Sequence, residues 1–386
     1  MRWPRVKVDS LKAETRNALV GGPFGSELTT RDYVEEGVPV IRGANLPSEQ
    51  SFKDDDFVFV SEEKADRLMS NCAYPGDVIF TQRGTLGQVG MIPNESRFPR
   101  YVVSQSQMKL TVNPAKVDAW FVYYFFRHPD TVQTVKNRAI TSGVPHINLG
   151  ILREFEMPLP PPTTQREIVS LLSSYDYSIE NNRRRMELLE QAARLLYQEW
   201  FVRLRFPGYE HARITKGIPQ GWENVRLGDR VTLNYGKALR SDERIDGAFP
   251  VYGSSGIVGS HEKPLTNGPG IILGRKGNVG SVFWSSADFY AIDTVYFIDA
   301  PTSNLYLYYA LKTMQFINTD VAVPGLNRDM AYSRPLLVPS KNVLREFLEV
   351  VSPMHEQLDK LDEINQKLRA ARGLLLPRLM SGEITV

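Results

Sequence analysis

A short segment near the middle of the chain, Val144-Pro145-His146-Ile147-Asn148, returns 179 residues later as Val323-Pro324-Gly325-Leu326-Asn327. At the same offset Pro160 corresponds to Pro339, and Leu195-Leu196 corresponds to Leu374-Leu375. The offset stays constant over about fifty residues, so the two stretches align without a gap. A fixed period of this kind indicates an internal repeat of one structural unit.

The regions before these segments also match, although the offset shifts. Each half has an apolar run, a Gly-x-x-Gly loop and a second apolar run, at Val78 to Val89 and again at Ile271 to Val282. Short apolar runs that are bounded by Gly, Pro, Asn and Ser predict strands, here at Asp77–Thr81 and Gly270–Gly274. The sequence therefore predicts two copies of one α+β unit whose loops differ in length.

Each copy ends in a long segment with apolar residues at alternating steps of three and four, the heptad pattern of a helix–helix seam. The seam positions are Ile168, Leu172, Tyr175, Ile179, Met186, Leu189, Ala193 and Leu196 in the first copy, and Phe347, Val351, Met354, Leu358, Leu361, Leu368 and Leu375 in the second. Asn182, Asn365 and Arg372 occupy the remaining seam positions.

The start of the first helix is predicted by Pro160-Pro161-Pro162. Residues 163–200 would make a helix of roughly 55 Å at about 1.5 Å per residue. One interpretation of the apolar seam is that the helix packs on its own domain and on nothing else. Two seams at matched positions favour a helix–helix spacer instead, and a pseudo-two-fold relation between the copies would make its helices antiparallel.

The composition fits two globular domains: 42% of the 386 residues are hydrophobic and 23% are charged, which argues against a disordered or fibrous chain. Lys and Arg outnumber Asp and Glu by only 46 to 44, so any DNA-binding surface must come from local clustering. Cys72 is the only cysteine, so no intrachain disulfide can form, and MRWPRVKVDS lacks the apolar core of a secretion signal. We therefore expect a cytoplasmic protein without a membrane span.

Taken in order, the motifs resemble those of the specificity subunits of type I restriction–modification systems. The stretches that carry this resemblance over nearly the whole chain are Thr141 to Asn148, Met157 to Pro162, Gln165 to Ile168, Tyr252 to Gly259, Gly274 to Gly280 and Leu374 to Ile384. The resemblance implies two target-recognition domains, residues 1–155 and 207–340, and two conserved helical spacers, residues 156–206 and 341–386. It also implies that the spacers pack as an antiparallel coiled coil.

In function, the resemblance implies a subunit without catalytic activity of its own. Each recognition domain would read one half of a bipartite site on double-stranded DNA, and the helices would set the spacing. They would also dock methyltransferase subunits, with motor–nuclease subunits completing the complex. No cofactor is expected in this chain, because S-adenosylmethionine, ATP and Mg²⁺ would belong to the partner subunits.

The residues agree with this expectation. The chain has no G-x-x-x-x-G-K-[ST] loop for nucleotide hydrolysis and no Asn-Pro-Pro-Tyr motif for adenine methylation. Its five histidines are scattered and lack the spacing of metal ligands. We therefore predict no catalytic residue and no metal site.

Base edges are read by Arg, Lys, Asn and Gln side chains, and phosphate contacts set position. The candidates are Gln82, Arg83 and Thr85 in one loop, Gln105 and Gln107 in a polar segment, Arg275, Lys276 and Asn278 in the repeat of the first loop, and Lys237 and Arg31 elsewhere. The two Gly-x-x-Gly loops could also be structural hairpins with solvated cations, and Gln105 and Gln107 could be buried beneath the first loop. Asn148 and Asn327, which match across the copies, favour a turn or helix cap over base reading.

Two other classes of function stay open: a stand-alone tandem DNA-binding regulator and a coiled-coil protein–protein scaffold. A fragment of a fused restriction–methylation enzyme is a further alternative. The sequence does not predict the recognised bases, because base choice depends on loop geometry and DNA shape.

Overall fold

The computed structural model describes residues 3–316 and 325–384, so Val323 and Pro324 of the repeated segment lie outside the described residues. The chain divides into two compact units. Unit 1 comprises Met1–Asn182 and Ile364–Val386, and unit 2 comprises Arg183–Glu363. Each unit thus combines one half of the repeat with parts of both long helices.

Unit 1 is built on β-sheets whose strands are mostly antiparallel. Its strands are β1 (Arg5–Lys7), β2 (Leu19–Gly21), β3 (Tyr33–Val34), β4 (Val38–Ile41), β5 (Val58–Val60), β6 (Cys72–Ala73), β7 (Val78–Thr81), β8 (Val89–Met91), β9 (Tyr101–Val103), β10 (Gln107–Leu110) and β11 (Glu156–Pro158). They form a four-stranded sheet of order β2-β10-β7-β8, a five-stranded sheet of order β3-β5-β4-β9-β6 and the pair β1-β11. The five-stranded sheet includes one parallel pair, β4 with β9.

The helices of unit 1 are α1 (Glu62–Arg67), α2 (Ala119–Arg127), α3 (Pro129–Asn137), α4 (Leu149–Arg153) and the first part of α5 (Pro162–Tyr197). The Asp118 side chain caps α2 by accepting the Trp120 N–H. Helix α2 is apolar around its whole circumference, and its residues from Phe121 to Phe126 are buried. It packs on β7 and β8 and forms the centre of the unit 1 core.

Unit 2 repeats this plan. Its strands are β12 (Ile214–Thr215), β13 (Ile218–Pro219), β14 (Glu223–Arg226), β15 (Asn234–Tyr235), β16 (Phe249–Gly253), β17 (Gly256–His261), β18 (Gly270–Gly274), β19 (Val282–Ser285), β20 (Tyr290–Ala291), β21 (Val295–Ile298) and β22 (Pro335–Val338). The order β15-β21-β18-β19 matches β2-β10-β7-β8, and the pair β14-β22 matches β1-β11. The second sheet is smaller, with the order β17-β16-β20.

The helices of unit 2 are α6 (Leu305–Thr313), α7 (Arg328–Tyr332) and the first part of α8 (Lys341–Met380). Helix α6 occupies the place of α2: Asn304 caps it, its residues from Leu305 to Leu311 are buried, and it packs on β19. The predicted strands at Asp77–Thr81 and Gly270–Gly274 are β7 and β18. The predicted repeat of an α+β unit is therefore confirmed at the level of topology.

The long helix α5 begins at Pro162, at the predicted proline run, and continues as a π-helix over Gln198–Val202. In unit 1, α5 runs antiparallel to the end of α8, because Asp176 pairs with Arg372 and Asn182 pairs with Asn365. Both asparagines are buried. Asn182 Nδ2 donates to Asn365 Oδ1 at 2.9 Å, and Asn365 Nδ2 donates to the Ile179 carbonyl oxygen at 3.3 Å.

In unit 2, aromatic side chains fill the seam between the helices. The Phe347 ring lies 6.3 Å from the Tyr197 ring, 5.9 Å from the Trp200 ring and 4.9 Å from the Phe201 ring, measured between centroids. Of the apolar seam residues predicted for the spacer, the buried ones are Ile168, Leu172, Ile179, Ala193, Phe347, Val351 and Leu361, and the half-buried ones are Tyr175, Met186, Leu189, Leu196, Met354, Leu358, Leu368 and Leu375. Along the described residues, no helix combines the length and apolar character needed to cross a membrane.

Candidate nucleic-acid interface

The two Gly-x-x-Gly segments are tight loops that follow equivalent strands, β7 and β18. Gly84 and Gly87 have φ values of +101° and +90°, and Gly277 and Gly280 have values of +77° and +79°. This left-handed backbone favours glycine, because a Cβ atom makes it strained. The repeated glycines therefore fix the same sharp loop at the end of each four-stranded sheet.

In unit 1, hydrogen bonds join this loop to neighbouring loops. The backbone N–H groups of Gln82 and Arg83 both donate to the Ser106 carbonyl oxygen, at 2.7 and 3.2 Å. The Ile147 N–H donates to the Gln82 carbonyl oxygen at 2.9 Å, and the Gly22 N–H donates to the Gln107 carbonyl oxygen at 2.9 Å. We call residues 22–28, 82–88, 104–107 and 139–147 the unit 1 loop cluster.

Unit 2 has the same network. The N–H groups of Arg275 and Lys276 donate to the Thr294 carbonyl oxygen at 2.9 and 3.0 Å, and the Leu326 N–H donates to the Arg275 carbonyl oxygen at 2.7 Å. The Gly236 N–H donates to the Val295 carbonyl oxygen at 3.2 Å. We call residues 236–243, 275–281, 292–295 and 325–327 the unit 2 loop cluster. Because the bonds correspond one to one, Gln82 matches Arg275 and Arg83 matches Lys276.

The structure brings four of the unit 1 candidates to the surface of their cluster. Arg83, Thr85 and Gln105 are exposed, and Gln82 is half-buried. Gln107 is buried at 1% exposure, and its Oε1 accepts the Ser104 hydroxyl. It thus lies beneath the loop, which was the other placement open to this polar segment.

Arg31 lies apart from this network. It is exposed on a 3-10 helix, Thr30–Asp32, that follows Leu28, and the hydrogen bonds that join the loops do not include it.

In unit 2, Lys237, Lys276 and Asn278 are exposed, and Arg275 is half-buried. The Arg275 guanidinium donates to the Asp293 carbonyl oxygen at 3.0 Å. Its central carbon lies 5.1 Å from the centre of the Tyr235 ring and 5.7 Å from that of Tyr296. Stacking of this kind fixes a guanidinium plane and leaves its remaining N–H groups free to donate.

Burial raises the pKa of Tyr296 to about 12, and the neighbouring Tyr235 acts in the same direction. The Tyr296 hydroxyl is therefore protonated at neutral pH and donates to the Leu326 carbonyl oxygen at 3.0 Å. Arg275 consequently rests on a neutral ring that is tied to the neighbouring loop.

Asn148 and Asn327 are helix caps, as their match across the copies predicted. The Asn148 side chain accepts the Ile151 N–H at 2.9 Å at the start of α4. The Asn327 side chain accepts the Asp329 N–H at 2.8 Å at the start of α7. Each asparagine directly follows the loop that contacts the Gly-x-x-Gly segment, so it fixes the end of that loop.

Sequence reasoning missed Phe24 in unit 1 and Arg328 in unit 2. Phe24 is 85% exposed within its loop cluster. The Arg328 guanidinium carbon lies 5.2 Å from the centre of the Tyr235 ring, the ring that Arg275 also contacts. The signal for Phe24 was an aromatic residue in the turn sequence Gly-Gly-Pro-Phe-Gly.

Each unit therefore carries, at one end of its four-stranded sheet, a braced loop cluster with exposed amide, hydroxyl and cationic donors. Donor sets of this kind read base edges and phosphates. The fold and its loop clusters define a protein with two similar surfaces suited to nucleic acid.

The family follows from comparison with known proteins. The family model described as "Type I restriction modification DNA specificity domain" matches residues 35–191 and again residues 219–368. The chain belongs to this family, the specificity subunits of type I restriction–modification systems. Its function is sequence-specific DNA recognition, the family is not catalytic by itself, and a stand-alone regulator or scaffold is not favoured.

Among known relatives, the type I restriction enzyme MjaIX specificity subunit of Methanocaldococcus jannaschii is 25% identical over 357 residues, which cover 84% of this chain and 81% of that protein. The MjaVIII specificity subunit of the same organism is 26% identical over 146 residues, 37% of this chain and 33% of that protein. The crystal structure of the S subunit of a type I system from M. genitalium has the same fold, with a TM-score of 0.61, 20% identity and coverage of 98% and 96% of the two chains.

Proposed function

We propose that each loop cluster reads one half of a bipartite site on double-stranded DNA. The observation that carries this proposal is that the two loop clusters have the same backbone structure but different side chains at equivalent positions. Both clusters use the same hydrogen bonds, yet Gln82 and Arg83 in unit 1 correspond to Arg275 and Lys276 in unit 2. Gln pairs well with adenine, whereas Arg and Lys pair well with guanine, so the two clusters suit different base sequences.

The proposal assigns residues 1–155 and 207–340 to the two recognition domains, and residues 156–206 and 341–386 to helical spacers. The spacers would set the distance between half-sites and dock methyltransferase subunits, and motor–nuclease subunits would complete the complex. S-adenosylmethionine, ATP and Mg²⁺ would then act in those partners. Because such a complex would act on cellular DNA, a cytoplasmic location of this chain is part of the proposal.

The test compares two matched variants, Arg83→Ala and Lys276→Ala, in the full chain. Duplexes are selected from a randomised library by each variant, and binding is measured at several salt concentrations. We expect each change to cost about 1–3 kcal/mol of binding free energy and to relax selectivity in one half of the site only, if the side chain contacts a base. A side chain that contacts a phosphate would instead weaken all sequences alike and reduce the salt dependence.

Arg16→Ala is the matched control, because Arg16 is exposed in unit 1 but precedes β2 at the end of that strand away from the loop cluster. It should leave selectivity unchanged. Loss of selectivity in both halves from a single change would contradict the proposal that each loop cluster reads one half-site. Selection of one continuous site by the wild-type chain would contradict it as well.

A further inference from the structure

Phe24 is more exposed than any other large hydrophobic residue in the described ranges, with 85% of its surface accessible. It stands at the tip of the loop from Gly22 to Leu28, while its neighbour Pro23 and the loop end Leu28 are buried. The buried residues Pro23 and Leu28 thus anchor the loop that exposes the Phe24 ring.

Hydrogen bonds brace the loop at Phe24 and at the residues that follow it. The Glu27 carboxylate accepts the Phe24 N–H at 3.0 Å, and Gln105 Nε2 donates to the carbonyl oxygens of Gly25 and Leu28. A braced loop presents the ring in one place, which lowers the entropy lost when a ligand stacks on it.

The ring belongs to the unit 1 loop cluster. A Cβ atom on Gly22 would lie 1.9 Å from the Ser104 carbonyl oxygen, so the two backbones are in direct contact there. Asn71 Nδ2 also donates to the Gly21 carbonyl oxygen at 2.8 Å. The Gly22 contact places the Phe24 loop beside residues 104–107, and the Ser106 carbonyl oxygen of that segment accepts the N–H groups of Gln82 and Arg83.

The equivalent loop of unit 2 shows that the fold does not need this ring. It begins at Gly236, which contacts the Ile292 carbonyl oxygen as Gly22 contacts Ser104. Both loops lead into a short 3-10 helix, and in each unit the residue just before that helix donates its N–H to a glutamate, but this residue is Arg240 in unit 2. The same backbone device therefore presents an aromatic ring in one unit and a guanidinium in the other.

We propose that Phe24 is a wedge that inserts its ring into the half-site bound by unit 1 and stacks on a base there. The inference rests on the proposed function of the loop cluster. Exposed apolar side chains enter DNA between base steps and unstack them, and aromatic rings stack on any base. The residues that follow it in the loop, Ser26 and Glu27, are exposed and polar. Distortion of the DNA is thus confined to one half of the site.

The test uses the full chain and duplexes that the wild-type chain has selected from a randomised library, with 2-aminopurine placed at successive positions. Unstacking of a base raises the fluorescence of 2-aminopurine. We expect the wild-type chain to raise it at one step of the half-site read by unit 1. The Phe24→Ala variant should lose this rise and bind about tenfold to a hundredfold more weakly, and Phe24→Trp should retain both properties.

Val34→Ala is the control, since Val34 is also an exposed apolar residue of unit 1 but lies on the edge strand β3. It should bind and unstack DNA like the wild type. If Phe24→Ala also behaves like the wild type while Arg83→Ala weakens binding, the wedge is wrong and the proposed function stands. If the wild-type chain selects no sequence, both fail together.

Discussion

The four-stranded sheets of the two units share their strand order. At the end away from the loop clusters, however, charged side chains are buried in unit 1 and aromatic side chains in unit 2. In unit 1, Lys109 Nζ lies 3.1 Å from the Asp77 carboxylate, and both side chains are buried. By strand register the matching residues of unit 2 are Phe297 and Gly270. A Cβ atom on Gly270 would lie 2.4 Å from the Phe289 ring, which occupies that space. The same backbone thus accommodates either an ion pair or packed rings.

The loop end of the sheets differs in a similar way. Arg275 lies over Tyr235, whereas the residues at the matching positions in unit 1 are Gln82 and Gly21. A Cβ atom on Gly21 would lie 3.2 Å from the Gln82 Oε1 atom, so the small residue makes room for the amide. Backbone hydrogen bonds and loop glycines maintain the framework, and the side chains that they support can change.

The largest expected effect comes from breaking the ion pair. The variant Lys109→Met leaves the Asp77 carboxylate buried without its cation, which should lower the free energy of unfolding of unit 1 by about 3–5 kcal/mol. The matched change in unit 2, Phe297→Leu, leaves a partial cavity but no buried charge, so it should cost less than the loss of the cation in unit 1. Urea unfolding, with hydrogen exchange of β7 and β18 followed separately, measures each unit.

The double variant Asp77→Leu/Lys109→Met tests the reason for this difference. It removes both charges, so it should recover most of the lost stability. If Lys109→Met and Phe297→Leu lower the free energy of unfolding equally, disrupting the ion pair costs no more stability than disrupting the packed rings.

A second contrast lies along α8, which makes polar pairs with α5 in unit 1 and in unit 2 places a histidine among aromatic rings of α6 and β19. His355 Nε2 lies 2.8 Å from the Tyr309 hydroxyl oxygen, and the side chain is buried. Burial lowers the pKa of His355 to about 4; Glu190 opposes this shift, and Lys312 adds to it. In the unfolded chain the pKa of a histidine is about 6.5.

The stability of unit 2 should therefore fall as the pH drops from about 6.5 to about 4, by about 3 kcal/mol in all. Across this range the unfolded chain binds a proton that the folded chain excludes. Hydrogen exchange of α6 at several pH values measures the effect. His355→Gln should flatten this dependence, whereas the control His211→Gln, at an exposed position, should keep it. An identical pH dependence in His355→Gln would refute the assignment.

The strands β7 and β18, the start of α5 and the repeat could be predicted from the sequence because backbone periodicity and turn residues determine them. The caps at Asn148 and Asn327 followed from their matched positions. The burial of Gln107 could not be predicted, because alternation along a strand does not show which face of the strand the loops cover. Phe24 was missed because an aromatic residue usually predicts a core position, and its exposure depends on contacts from Gln105, far away in sequence.

The same limit applied to Asn182 and Asn365, which the heptad pattern marked only as exceptions. Their pairing depends on the register of two helix segments, and that register appears only in the folded unit. A buried asparagine pair in a seam stabilises one register, because any shift leaves amide groups without partners. In unit 1 a hydrogen-bonded asparagine pair thus stabilises the helix register, whereas in unit 2 the packing of aromatic side chains takes that role.

The smallest expected effect on stability comes from this pair. Asn182→Ala leaves the Asn365 Oδ1 atom without its donor and should cost about 1–3 kcal/mol, whereas the control Leu361→Met, at a buried seam position of unit 2, should cost less than about 1.5 kcal/mol. The double variant Asn182→Leu/Asn365→Leu removes both amides, so it should be about as stable as the wild type but no longer restricted to one register. If the helices set the distance between half-sites, that variant should select duplexes with more than one spacer length from a library of varied spacers. Selection of the single wild-type spacer by a stable double-leucine variant would mean that packing of the apolar seam alone determines the register.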